Sequence, residues 1–230
     1  MKQPEFDSYS SSYETLLKDP IRDRFMGADE DFFHTRKRDL IREHFRSQGI
    51  QTSGLRYLDV GCGKGELLGL LRDDFSYVAG CDPSREMLKV VSGADIRTQE
   101  EPDTIPFGDE ELDFVSAVCV YHHVPPEKRL PLTREIRRVL RRHGVFVMIE
   151  HNPYNPITRL VVSRTPVDAN AVLLRASEAR GWMEQAGFKP NAPNYFLYLP
   201  APIYRLASAL EHPLRFLPLG GQYAIFGSKA

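Results

Sequence analysis

Two groups of residues in this chain have the types and spacing for chemistry. The first is Asp59, Gly61, Gly63 and Gly65, with Asp82 further along. Glycines at alternate positions let a backbone turn sharply and approach a ligand where side chains would collide. Asp59 stands two residues before the first glycine, placed to meet a cationic group. Asp82 closes the apolar run Tyr77-Val78-Ala79-Gly80-Cys81 and is placed to accept hydrogen bonds from a ribose diol. Two acids around a close-approach loop describe a site for a nucleoside whose far end carries an ammonium. The second group is Tyr121-His122-His123 with Glu150-His151. Imidazole titrates near neutrality and suits proton transfer. His123 and His151 lead as candidate general bases, then His122, with Tyr121 and Glu150 as substitutes; no spacing singles one out.

Both groups sit where apolar runs end. Leu55 to Val60 predicts a strand, and Leu67, Leu70 and Leu71 a helix from about Glu66, whose free N–H groups point into the gap. Further strands are expected at Tyr77–Cys81, briefly at Ile96-Arg97, at Leu112–Val120, Val145–Ile149 and Asn194–Leu199, and finally at Gln222–Gly227. Strand ends on one edge of an open α/β sheet are where ligands bind. Alternation along an extended strand would send His122 and His123 opposite ways, so both cannot be core. A helix with Leu132, Ile136, Val139 and Leu140 on one face puts Arg134, Arg137, Arg138 and Arg141 on the other, expected in solvent.

Residues 1–54 read as a helical lid. Tyr9, Tyr13 and Leu16 begin it, Pro20 interrupts it, and a longer helix from about Asp31 to Ser47 carries Phe33, Leu40, Ile41 and Phe45 on one side. His34, Arg36, Lys37 and Arg38 form a basic cluster expected to be a solvated face. Residues 55–230 form the main domain, with inserts at about 152–176 and 200–221. The second insert, rich in Pro, Leu and aromatics, is expected to pack on the sheet edge as a helix; an apolar substrate wall or peripheral membrane contact is the sharper reading.

At 230 residues the chain fits one such domain. Its formal net charge of -1 offers no general attraction to phosphate backbones, so nucleic acid is not an expected partner. No apolar run is long enough to span a bilayer and the first twenty or so residues lack a signal core, so the chain is expected in the cytoplasm. Cys62, Cys81 and Cys119 form neither an even set nor a metal-ligand spacing. Neither a disulfide nor a bound metal is expected.

The G-x-G-x-G form, with Glu66 where a dinucleotide fingerprint needs glycine, resembles the class I S-adenosylmethionine (SAM) methyltransferases. Asp82, Ile105-Pro106-Phe107, Leu112-Asp113-Phe114-Val115, Tyr121-His122-His123 and Arg138-Val139-Leu140 before His143-Gly144 follow in that family's order. The resemblance covers roughly residues 55–150 well and the flanks loosely. It implies an α/β fold: a Rossmann-like, doubly wound, seven-stranded sheet, mostly parallel with an antiparallel last strand, under a helical N-terminal lid. It implies SAM as cofactor, held by Asp59, Gly61, Cys62, Gly63, Gly65, Asp82, Pro83 and Val120. Glu101 would meet adenine, although Pro102 beside it has no N–H to give. Tyr13, or Tyr9, would face the sulfonium. The expected reaction is methyl transfer to a small-molecule hydroxyl on a sugar, secondary-metabolite or lipid-linked intermediate. A quinone-type C-methyltransferase and a SAM-binding protein without transfer activity are the alternatives.

Overall fold

The computed structural model describes residues 5–29 and 31–230. The first four residues of the expected lid, and Glu30 within it, lie outside the described residues. Three helices come first: α1 (Tyr13–Leu16), α2 (Pro20–Met26) and α3 (Phe32–Ser47). Asp19 caps α2 by accepting from the N–H groups of Ile21 and Arg22, and Pro20 occupies the first turn, where a missing N–H costs nothing.

The main domain alternates strands and helices. In chain order these are β1 (Arg56–Val60), α4 (Glu66–Leu71), β2 (Tyr77–Asp82), α5 (Arg85–Leu88), β3 (Asp95–Thr98), β4 (Leu112–Val118), α6 (Pro126–Val139) and β5 (Leu140–His151). They continue with α7 (Pro156–Arg164), α8 (Ala176–Gln185), β6 (Phe188–Pro190), β7 (Asn194–Phe196), α9 (Ala201–Ala207) and β8 (Gln222–Lys229). The sheet order is β3-β2-β1-β4-β5-β8-β6, with β7 also on β8. The first five strands are parallel and β8 is antiparallel to β5. Strand order reverses at β1 and β4, so the loops after them open one crevice.

Eight strands fill the seven expected positions. The outermost is split, since Phe188–Pro190 and Asn194–Phe196 pair with successive stretches of one β8 edge. Pro190 and Pro193 remove two donors from this segment, which hides its first half from a periodicity reading. Its second half stops short of the expected Leu199 because Leu197 turns out of the sheet at φ 62°. At β4 the expected end, Val120, retreats to Val118, because Cys119 adopts φ 57°.

Apolar layers cover both faces. One joins the sheet to α6 and α8 through Leu132, Ile136, Ala179 and Met183. The other holds Ile41 and Phe45 of α3 with Leu67, Leu71, Tyr57 and Phe114, so α3 is a core helix and the covering segment is residues 5–29. This corrects the solvated basic face: Arg36 and Lys37 are buried. The Arg36 guanidinium bonds Glu211 and the Tyr204 hydroxyl, fastening α3 to the second insert. Asn152 donates to the carbonyls of Pro218 and Gly220, and Thr158 to that of Gly221, which staples the two inserts together. Among the described residues no helix is long and apolar enough to cross a membrane.

Candidate active site

The loops after β1, β2, β4 and β5, the covering segment and both inserts enclose a cavity of about 1060 Å³. Ligand pockets commonly hold roughly 300–1,000 Å³, so the space suits a cofactor and a second molecule together.

At one end stands the glycine loop. A side chain at Gly61 (φ +70°) would place Cβ 2.4 Å from Val120 Cγ2, so glycine lets the first strand's loop press on the fourth's. Gly63 (φ +54°) differs, since a Cβ there would meet no atom of the described residues within 4 Å beyond its chain neighbours. Its N–H donates to Asp82 Oδ2 at 2.9 Å while Ser84 N–H donates to Oδ1 at 2.8 Å, so β2's terminal acid is aimed by two backbone groups. Burial nevertheless pushes the Asp82 carboxyl up. Pro83, Gln99 and Pro102 line the wall beyond. Glu101, expected against adenine, points into solvent and is not among the lining residues. The turn closed by Thr104 N–H on the Glu101 carbonyl carries that side chain outward, and buried Gln99 takes the wall position.

Further in, Asp59 accepts from Ser116 Oγ, which also meets the Tyr57 hydroxyl at 2.8 Å. Burial raises the Asp59 carboxyl to about 7, against the pull of Ser116 and Lys37. Lys37 reaches the same space from α3. Its ammonium lies 3.8 Å from Cys119 Sγ and, among the described residues, within ion-pair distance of no carboxylate. His34, also in the wall, has a buried Nδ1 with no hydrogen-bond partner among the described residues, and burial pushes its ring down to about 3. A carboxylate and an ammonium facing one space, with an orphaned imidazole nearby, complement an amino-acid zwitterion. Cys62 and Val120 line the cavity, whereas Gly65, expected to touch the cofactor, is not among the lining residues and turns α4 into place at φ +81°. Tyr13 also lines the cavity; burial and then the charges of Glu66, Asp168, Cys119 and Asp82 push its hydroxyl pKa up.

The far end gathers three histidines. Residues 121–123 form a turn, so strand alternation does not apply and His122 and His123 face the same side, ring centroids 4.1 Å apart. His151 joins them, 5.1 Å from His122. Tyr121, expected as a substitute base, is fully buried on the other side, its hydroxyl 2.9 Å from Thr133 Oγ1, and takes no part. Glu150 is no free base either. Its Oε1 accepts from the N–H groups of Val120 and Tyr121 (2.9 and 2.6 Å), and its Oε2 lies 2.6 Å from His122 Nδ1. Desolvation opposes charge on His122, but Glu150 and Asp168 outweigh it and raise the ring to about 10. Burial, with His122 beside it, pushes His151 down to about 4. His123 remains open to the cavity, Nε2 3.4 Å from Asp168 Oδ1, with Phe6 edge-on against its ring at 4.9 Å.

Asp168 and Lys37 are the residues sequence reasoning missed. Asp168 lies in the first insert, where no periodicity marks it. Lys37 was hidden in a run of four basic or titratable side chains that point in different directions.

Comparison with known proteins places this architecture. A methyltransferase domain family profile matches residues 58–148. The uncharacterized methyltransferase YcgJ of Bacillus subtilis is 26% identical over 149 residues, 61% of this chain and 57% of the relative. A tRNA (carboxymethyluridine(34)-5-O)-methyltransferase of Arabidopsis thaliana is 29% identical over 123 residues, 52% of this chain and 30% of the relative. The chain thus spans little more than half of the first of these relatives and less of the second. Among solved structures, magnesium protoporphyrin IX methyltransferase of Synechocystis with bound SAH (S-adenosylhomocysteine) superposes with a TM-score of 0.67 at 15% identity, covering 99% of this chain and 98% of that one. That likeness is one of fold.

Proposed function

The chain belongs to the class I S-adenosylmethionine-dependent methyltransferases, and from that premise we propose that it transfers a methyl group from SAM to a hydroxyl of a small-molecule acceptor. The observation that carries this reading is the polarity of one continuous cavity: diol and zwitterion partners at one end, imidazoles at the other. Asp82 would take the ribose hydroxyls, Gly63 the close approach of the chain, Asp59 and Lys37 the ammonium and carboxylate of the methionine end. When bound, SAM supplies a methyl group made electrophilic by its sulfonium.

The chain's own residues do the rest. Tyr13 and the covering segment exclude water. His123, aimed by Asp168, accepts the hydroxyl proton as the acceptor's oxygen takes the methyl group, so one O–C bond forms, one S–C bond breaks, and the proton ends on the imidazole. His122, held between two carboxylates, orients the acceptor oxygen. His151 is a neutral donor or acceptor in the wall and a weak base. A cytoplasmic setting is part of the same proposal.

Incubation with methyl-labelled SAM and separated small-molecule and RNA fractions tests the reading. Label in a small molecule supports it; label in RNA alone overturns the acceptor class, and an absence of SAM binding overturns the whole. Two substitutions sharpen it. Asp82→Ala should weaken SAM binding by about 1.5–3 kcal/mol, the loss expected for charge-assisted hydrogen bonds, and calorimetry reads it directly. Gly63→Ala should cost only roughly 1–2 kcal/mol of stability for its left-handed backbone, yet lower SAM affinity by more than about tenfold, because its methyl fills ligand space. Unaltered affinity in the Gly63 variant would move the cofactor off this loop.

A further inference from the structure

We propose that His122, His123 and Asp168 form a divalent-cation site at the acceptor end of the cavity. Nε2 of His122 lies 3.5 Å, and Nε2 of His123 3.4 Å, from Oδ1 of Asp168. The three ligand atoms all fall within 4.8 Å of one another. Such separations are long for N–H···O hydrogen bonds, which run about 2.7–3.2 Å. They lie at the long limit of the edges of a tetrahedral site: bonds of about 2.1 Å at octahedral to tetrahedral angles set ligand atoms roughly 3.0–3.4 Å apart, so a small inward shift of the three side chains would complete it.

A second observation concerns the group behind the ligands. Glu150 is fully buried, and its Oε2 contact to His122 Nδ1 leaves Nε2 as the atom turned to the cluster. A carboxylate on the outer nitrogen of an imidazole is the arrangement that fixes tautomer and ring angle in metal sites. Because Oε1 of the same Glu150 is tied to the 120–121 backbone, the residue cannot swing away. Charge points the same way: the carboxylates of Glu150 and Asp168 close on the two imidazoles and favour a cation among them. Two imidazoles and one carboxylate, open on the cavity side, suit a transition-series dication such as zinc, manganese, iron(II) or cobalt rather than magnesium or calcium. The cysteine pattern gave no hint of this, since the ligands are imidazoles and a carboxylate from separate segments. One consequence rests on the methyl-transfer reading and alters it: with a cation bound, His123 would be a ligand rather than the proton acceptor, and the cation would bind the acceptor's oxygen, lower its pKa and let its proton pass to solvent, favouring a hydroxyl flanked by a second oxygen donor. The site itself does not rest on it.

The test uses the full chain, stripped of metal by chelator dialysis and titrated with Co2+ while its visible ligand-field absorption is followed. Saturation at one equivalent is expected, reversed by Zn2+. Asp168→Asn and His123→Gln, both at the cavity surface, should each weaken Co2+ binding by about tenfold or more. No saturable binding, or affinity unchanged in both variants, overturns the site. Should a variant melt well below the parent, the paramagnetically shifted ring N–H resonances of the Co2+-loaded parent decide: signals from two imidazoles support the site and none overturns it. SAM calorimetry on the same samples keeps the two readings apart, since cobalt can bind where SAM does not, and the reverse.

Discussion

Turnover at saturating SAM falls by about a hundredfold or more when His123 becomes Gln, and by a similar factor when Asp168 becomes Asn. The expectation follows from position. Of the three imidazoles, His122 is held charged between Glu150 and Asp168, and His151 is pushed down to about 4 by burial. His123 alone combines an opening to the cavity with an aiming carboxylate. Because Asp168 acts through His123, the double variant should lose little more than either single one. His151→Gln should cost only a few-fold. SAM affinity, set at the other end of the cavity, should change little in all of them. Few-fold losses at both His123 and Asp168 would sink the proton-transfer role and leave positioning as the mechanism, with an already ionised or carbon nucleophile.

Asp59→Asn is expected to stabilise the ligand-free protein and weaken SAM binding in the same variant. The Asp59 carboxyl is raised from an ordinary 3.8 to about 7. Between those values the folded state holds a proton that the unfolded chain has lost, so stability declines as pH rises from about 4 to 7 and is flat above. At pH 8 the buried charge costs about 2–4 kcal/mol, taking each pKa unit as about 1.4 kcal/mol and allowing for relaxation. Asparagine keeps the shape and the acceptor for Ser116 but removes that charge. The variant should therefore melt higher than the parent at pH 8 and no higher at pH 4, while calorimetry shows weaker SAM binding. A lower melting temperature with normal binding would make Asp59 a structural acid and move the ammonium elsewhere.

The parts that were legible in the sequence were those whose neighbours are close along the chain. Gly61, Gly63 and Asp82 declare themselves because loop, strand end and helix start are contiguous, and the structure brings them to one wall. Parallel strands buried on both faces read as apolar runs, so β1, β2 and β4 are legible to within two residues, while β5 begins at Leu140, five residues before its apolar run and where a helix was expected to continue. What failed depended on backbone turns that no period describes. The left-handed residues Cys119 and Leu197 end strands early, and the turn at 121–123 puts Tyr121 in the core and both following histidines in the cavity. Charged side chains were misread for the opposite reason: a basic run looks solvated unless the buried acid it meets, here Glu211 for Arg36, is known from far along the chain.

The contacts of the covering segment are unevenly distributed. Asp7 accepts from Ser84 Oγ at 2.7 Å and from the Glu86 N–H, both just past the ribose acid, and Glu14 pairs with Lys64 in the glycine loop. Among the described residues its ion pairs to the inserts are Asp19 to Arg164, at 3.3 Å, and Asp29 to Arg205, at 2.8 Å, both on half-exposed or exposed arginines, and Met26 packs in one apolar cluster with Ala201. The polar ties of the covering segment are thus more closely set at the cofactor end of the cavity than at the inserts. The expected order of release is methylated product first and spent cofactor second, which product-inhibition patterns against each substrate would read.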